Sequence, residues 1–253
     1  MNDTLKNFIN NNLDLINQNT KESWQKIYRR FLLGDLYGLS GEFTKIILDS
    51  GINDPTIIMG YVPDNYLYQS TIRDYKIPDS VISIGAFAFA GCHSLTEIII
   101  PNGVINIDVG AFDACINLTN IRISDSVTKI TLAAFRDCSS LTNIIIPNSV
   151  TSIGEEVFQN CGNLTSVVIP DSITSISKST FSDCSSLVSV VIPSSVTSID
   201  EYAFLNCSSL KEVNFKGTRK QAINLGIGIK SKKRWRKNSA IQKIICTDGE
   251  IEL

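Results

Sequence analysis

The sequence predicts an α+β chain dominated by a β-solenoid of six 23-residue coils, with a helical region before it and a cap after it. Three observations carry that prediction. A 23-residue unit recurs six times without a gap over residues 77–214. Within it phenylalanine returns at Phe89, Phe112, Phe135, Phe158, Phe181 and Phe204, and cysteine three residues later at Cys92, Cys115, Cys138, Cys161, Cys184 and Cys207. Leucine follows three later again, at Leu95, Leu118, Leu141, Leu164, Leu187 and Leu210. Self-similarity at a fixed period of roughly 20–30 residues marks a stacked array in which each repeat is one coil.

Residues 1–60 read as the helical region. Leu5, Phe8, Ile9, Leu13 and Ile16 recur at helical spacing. Thr20 is placed to cap a second helix, which carries Trp24, Ile27, Tyr28, Phe31 and Leu32. A third short helix runs from Ser40 to Leu48, and Asp54-Pro55 opens a further turn or two. Residues 61–76 read as a shortened capping repeat, because Val62-Pro63-Asp64 imitates Ile77-Pro78-Asp79 fifteen residues early. The first coil of a solenoid is otherwise open to water and needs a cover. Tyr61, Tyr66 and Tyr68 suit such a half-wet lid.

Each coil follows the pattern I-P-x-S-V-x-x-I-x-x-x-x-F-x-x-C-x-x-L-x-x-I/V-x. Leu95, Ile98 and Ile100 are expected to point inward, with Glu97 and Ile99 alternating outward on a strand. Pro101 ends that strand, because proline has no amide hydrogen to give the ladder. Asn102-Gly103 makes a turn. Val104 and Ile107 begin a second short strand on the opposite side, and a tight helical turn containing Phe112 and Cys115 leads back. Stacking then converts each strand position into a ladder running the length of the array, with coils about 4.8 Å apart.

Six of the seven cysteines occupy one repeat position. Their regular place beside Phe and Leu predicts a buried column of small apolar fillers. Stacked inward side chains rarely meet the torsions of a disulfide. Cys246 lies outside the column and reads as a strand residue of the cap, residues 215–253.

The stretches Ile146-Pro-Asn-Ser-Val-Thr-Ser-Ile-Gly and Phe158-Gln-Asn-Cys-Gly-Asn-Leu-Thr-Ser-Val carry a close resemblance to the BspA-type leucine-rich repeats of bacterial and some protist proteins. The resemblance covers residues 77–214. Phe215-Lys-Gly-Thr, Trp235 and Ile245-Cys-Thr-Asp-Gly also resemble that family's C-terminal closing segment. It implies a leucine-rich-repeat β-solenoid and a non-catalytic role in adhesion or protein recognition, often at cell surfaces.

No catalytic constellation can be assembled from these residues. His93 is the single histidine, and its repeat position is held elsewhere by Ile116, Ser139, Gly162, Ser185 and Ser208, which marks a tolerant surface turn. No phosphate loop of the G-x-x-x-x-G-K-[ST] type is present. Asp79, Asn102, Asp125, Asn148 and Asp171 form a ladder of carboxylates and amides. Between a calcium site and turn residues capping their own backbone after proline, the second reading is preferred. No cofactor and no metal site is expected.

Two surfaces remain as candidates for function. The first is the outward strand ladder, where Glu97, Asn120, Asn143, Ser166 and Ser189 run beside Ile99, Arg122, Ile145, Val168 and Val191. A contiguous apolar strip bordered by small polar residues suits a protein partner; the plainer alternative is that β-branched residues support the strand. The second is basic. The formal net charge is −2, yet residues 215–243 contain no Asp or Glu. Lys230, Lys232, Lys233, Arg234, Arg236 and Lys237 surround Trp235 there. That arrangement could hold phosphate groups with Trp235 stacked on a base, or it is a solvated loop whose Trp235 covers the last coil.

The opening stretch MNDTLKNFINNNLDLI has neither the basic n-region nor the continuous apolar h-region of a secretory signal. No window reaches the roughly 20 apolar residues of a membrane span. With the thiols expected to be reduced, these features predict a cytoplasmic protein. Removal of a leader or export by another route would place it at the cell surface or outside.

Overall fold

The computed structural model describes residues 75–77, 81–86, 88–227 and 235–253, residues 7, 10, 11, 73 and 79, and the backbone of 57–58 and 234. Asn7, Asn10 and Asn11 are helical. The remaining helical expectations before residue 57, and Tyr61, Tyr66 and Tyr68, lie outside the described residues.

The chain winds into a solenoid with two strand ladders. One consists of β1 (Ile57–Ile58), β2 (Ser83–Ile84), β4 (Asn106–Ile107), β6 (Lys129–Ile130) and β7 (Ser152–Ile153), all parallel and in that order. It continues as a separate pair, β9 (Ser175–Ile176) and β11 (Ser198–Ile199). The other begins with β3 (Glu97–Ile99) paired to β5 (Asn120–Arg122). It resumes with β8 (Ser166–Val168), β10 (Ser189–Ile192), β12 (Glu212–Phe215) and β13 (Lys243–Cys246), and ends on the antiparallel β14 (Gly249–Glu252). The first pair, β1 with β2, is offset by 26 residues, and from β2 onward the register of 23 is kept throughout the parallel pairs up to β12, as in Glu97↔Asn120 and Val190↔Val213.

The period arises from what fills the interior. The six phenylalanines stack as parallel rings with centroids 5.1–5.7 Å apart and planes within 11° of each other. Offset stacking at this separation adds to the apolar area each ring removes from water. Leu95, Ile98 and Ile100 are buried as expected, and the same positions are buried in every later coil through Leu210 and Val213. The cysteine column is buried and free of disulfides. Its thiols are not passive filler: Cys115, Cys138, Cys161, Cys184 and Cys207 each donate to the carbonyl of the phenylalanine in the preceding coil, at 3.0–3.3 Å. Burial raises the pKa values of Cys92, Cys115, Cys161, Cys184 and Cys207, to about 12 for Cys92 and Cys207.

Four features differ from the sequence reading. The segment around Phe112 and Cys115 is a run of turns, not a helical turn. Two columns of left-handed residues lie there: one holds Gly110, Ala133, Glu156, Ser179 and Tyr202, the other Gly91, Ala114, Asp137, Asn160, Asp183 and Asn206. These reversals aim backbone N–H groups along the solenoid axis, so that Phe89 donates to Ala111, Gly91 to Asp113, and so on in every coil. A third hydrogen-bonded ladder therefore replaces the bonds a helix would have kept to itself.

Among the described residues no hydrogen bond ties the side chains of Asn102, Asp125, Asn148 and Asp171 to their own turns. The serine that follows does the tying, and it ties coil to coil: Ser126, Ser149 and Ser195 donate to the carbonyls of Val104, Val127 and Ile173 at 2.7–2.8 Å, and Ser172 donates to Val150.

The strand ladders are also not continuous. On the outward face pairing stops between Arg122 and Ile145 and restarts at a single bridge, Asn143↔Ser166. On the opposite face it stops between β7 and β9, where the Ser177 hydroxyl takes the Ile153 carbonyl instead.

Both ends extend the solenoid further than expected. Ile57–Ile58 is a strand paired to β2, not a helical turn after Pro55. Beyond β12 the chain forms a seventh, enlarged coil, not merely a cap. β13 pairs in parallel with β12, Glu212 opposite Lys243, at an offset of 31 residues in place of 23. Helix α1 (Arg219–Leu225) sits in this coil. Thr218 and Gln221 close its N-terminus as a reciprocal capping box, and Gly226 in the left-handed region closes its C-terminus.

Candidate interaction face

Alternation along each short strand decides what the outward ladder presents. In β3, β5 and β8 the middle residue is buried and the two flanking residues are exposed. Glu97, Asn120, Asn143 and Ser166 therefore form one exposed column, and Ile99, Arg122, Ile145 and Val168 a second. Ile99, Ile145 and Val168 are 63%, 76% and 61% exposed, unusually high for branched aliphatics. Towards the C-terminal end the face is partly covered, and Ser189 and Val191 are half-buried.

The sequence reading missed two members of this face. Val188 is 59% exposed at a position where the four earlier coils carry Thr96, Thr119, Thr142 and Thr165. That break in an otherwise constant column was a visible signal. Ile245, half-buried on β13, continues the aliphatic column into the seventh coil. It was hidden because that coil has lost the repeat pattern. Electrostatics are confined to the edges of the face. Glu97 and Arg122 stand near one end. At the other, Lys243 lies 3.0 Å from Glu212 and 3.6 Å from Glu250, and Glu212 holds the Lys243 ammonium above its ordinary pKa. The central positions, from Thr142 to Val191, are uncharged.

The basic segment is organised differently from the nucleic-acid reading. Trp235 is 1% exposed and meets Phe204 edge to face at 6.0 Å, with planes at 84°. Its carbonyl accepts from the Phe204 amide, the role that the residue before phenylalanine, such as Ala203, plays in the other coils, while its ring covers Phe204. It closes the ring column and is not a platform on which a base could stack. Arg236 lies over the Trp235 ring at 5.8 Å and donates to the Ile241 carbonyl. Lys237 is exposed. Lys230, Lys232, Lys233 and the Arg234 side chain lie outside the described residues. His93 is half-buried on a turn, where its carbonyl accepts from Asn117.

With this geometry in hand, the family model for the BspA type leucine rich repeat region matches six copies, over residues 60–188 and 128–224. The chain belongs to the BspA-type leucine-rich repeat family. Its solved relatives include the leucine-rich repeat protein TpLRR of T. pallidum, at 32% identity and TM-score 0.52, with 62% of this chain and 72% of that one covered. The pneumococcal vaccine antigen PcpA shares the fold at 20% identity and TM-score 0.56, over 76% of this chain and 45% of that one. This BspA-type chain thus spans less than half the length of the pneumococcal protein. Among curated proteins none matches. Among the described residues no helix is long and apolar enough to cross a membrane.

Proposed function

We propose that this BspA-type chain is a non-catalytic recognition module, adhesion-like in its use of a broad face, that holds a protein partner on the outward strand ladder. The observation that carries the reading is the exposed aliphatic column Ile99, Ile145 and Val168 on strands whose alternate residues are wholly engaged in the core. A rigid, hydrogen-bonded scaffold presents such a strip at little ordering cost, and exposed apolar strips of this kind mark interaction sites. The pneumococcal antigen of the same fold supports a surface or secreted setting as readily as a cytoplasmic one, and the buried thiols are compatible with either.

The test is affinity capture with the wild-type chain beside Arg122→Glu/Val168→Asp. The face is the site when a protein retained by the wild type is lost by a variant that still folds. Equal retention by both would sink the reading. The second reading, binding of polyanions through residues 216–243, keeps its charge but has lost its aromatic. It predicts affinity for a nucleic-acid probe that falls by about one power of salt concentration per phosphate contact. A flat salt response removes it.

A further inference from the structure

We infer that the partner of the strand face is a second copy of this chain, packed face to face about a two-fold axis that runs along the strand of the fourth coil, at Ser166 and Val168. The inference rests on the reading of this face as a protein-binding surface and names its occupant.

The argument is the order of side chains once β13 is recognised as the seventh coil. The aliphatic column runs Ile99, Arg122, Ile145, Val168, Val191, Asn214, Ile245. Polar residues stand second and sixth, with branched aliphatics everywhere else, so the column has the same character read from either end. The neighbouring column runs Glu97, Asn120, Asn143, Ser166, Ser189, Glu212, Lys243, with opposite charges at its two ends.

A two-fold axis lying in the interface and parallel to the strands reverses the order of coils and keeps each column opposite itself. Through the fourth coil it sets Val168 against Val168 of the second copy, and Ile145 against Val191. Ile99 then meets Ile245, and Arg122 meets Asn214 with Glu212 diagonally beside it. Glu97 meets Lys243. Each aliphatic residue of the column finds an aliphatic one, and no like charges come opposite. Moving the axis by half a coil or a whole coil in either direction places Arg122 or Asn214 against a branched aliphatic side chain. The pattern therefore selects one register, and an isologous contact of this kind closes at two copies. The face is narrow, about 30 Å long from the strand spacing, which places the association among the weaker interfaces.

Sedimentation of the full chain across concentrations up to the high-micromolar range tests this, with circular dichroism to confirm folding. The expected result is a concentration-dependent dimer for wild type and a monomer throughout for Val168→Asp, a change at an exposed position that the fold tolerates. Val168→Cys sits on the axis and is expected to cross-link to its own copy under mild oxidation. Thr174→Cys, on the opposite face, is expected to dimerise like wild type and to form no cross-link. A wild type that remains monomeric, a Val168→Asp variant that dimerises like wild type, or a Val168→Cys variant that fails to cross-link overturns the inference. If self-association fails in this way while Arg122→Glu/Val168→Asp still loses a captured protein, the face remains a recognition site with a different occupant.

Discussion

Each phenylalanine of the column is wholly enclosed by its own coil and two ring neighbours. Phe158 lies 5.7 Å from Phe135 and 5.4 Å from Phe181. Phe158→Ala leaves a void that neighbouring coils, tied by three ladders, cannot collapse to fill. Equilibrium denaturation is expected to show a loss of about 3–5 kcal/mol, and a loss under about 1 kcal/mol would contradict the enclosed packing. The cysteine beside it carries a second residue-scale expectation. Burial holds the thiol pKa far above its ordinary value near 9, to about 12 at Cys92 and Cys207. A raised folded-state pKa means that the unfolded chain releases these protons first. The thiols' contribution is therefore complete below about pH 9 and declines as pH climbs towards 12, by about 1.4 kcal/mol per pH unit for each thiol. Chemical denaturation at a series of alkaline pH values measures that slope. In parallel, a thiol reagent at pH 8 is expected to leave the column unmodified in the folded chain and to label it once denaturant is added.

At the scale of the element, the coil turns and the closing coil are the sensitive parts. Gly154 lies where the chain leaves β7, and a Cβ there would fall 2.7 Å from the backbone of Thr131 and Leu132. Gly154→Ala must push two coils apart and is expected to cost about 1–3 kcal/mol as overpacking, read as a lowered denaturation midpoint. The first coil also carries glycine here, at Gly85, but the others carry Asp108, Thr131, Ser177 and Asp200, so the repeat pattern does not reveal the requirement. Trp235→Ala uncovers Phe204 and removes the ring that packs the seventh coil onto the sixth, leaving backbone bonds such as that from the Phe204 amide to the carbonyl of residue 235. The expected outcome is a separate early thermal transition for the seventh coil, with the six regular coils melting later; a single transition at the wild-type temperature would show that the Trp235 contact is dispensable.

Elements also explain what could be read in advance. The two outward columns and the interior were legible because each buried position recurs at a fixed offset, and burial in one coil implies burial in its neighbours. The turn at Phe112 and Cys115 was misread because apolar residues three apart look the same on a helix and on a run of left-handed turns. Only the column of Gly, Asn and Asp at positions 91, 137, 160, 183 and 206 hinted at the reversal. The seventh coil was hidden by eight extra residues, although the Thr218-x-x-Gln221 capping box announced α1 inside it. The interruptions at Arg122–Ile145 and after β7 fall within the regular 23-residue repeat, so the spacing of the repeat did not announce them.

Across the whole molecule, stability is a sum over coils and the contacts between neighbours. Interior coils have two neighbours and terminal coils one. Hydrogen exchange is therefore expected to be slowest at amides of the central coils, such as Phe135 and Phe158, and to quicken towards Ala88 and β14. Uniform protection from end to end would indicate a single cooperative unit.

The constancy of the spacing also has a consequence for the gene. The thiol-to-carbonyl bonds between neighbouring coils repeat in the same way at every interior step, as Cys138 to Phe112 repeats Cys115 to Phe89. Loss or duplication of 69 nucleotides from the middle of the coding sequence would therefore bring most severed groups to an equivalent partner. The number of coils can drift by slippage between copies with little harm to folding. Self-recognition cannot drift so freely: a chain one coil shorter or longer has no coil at its midpoint, and the mirrored order of side chains on the outward face is lost in one step.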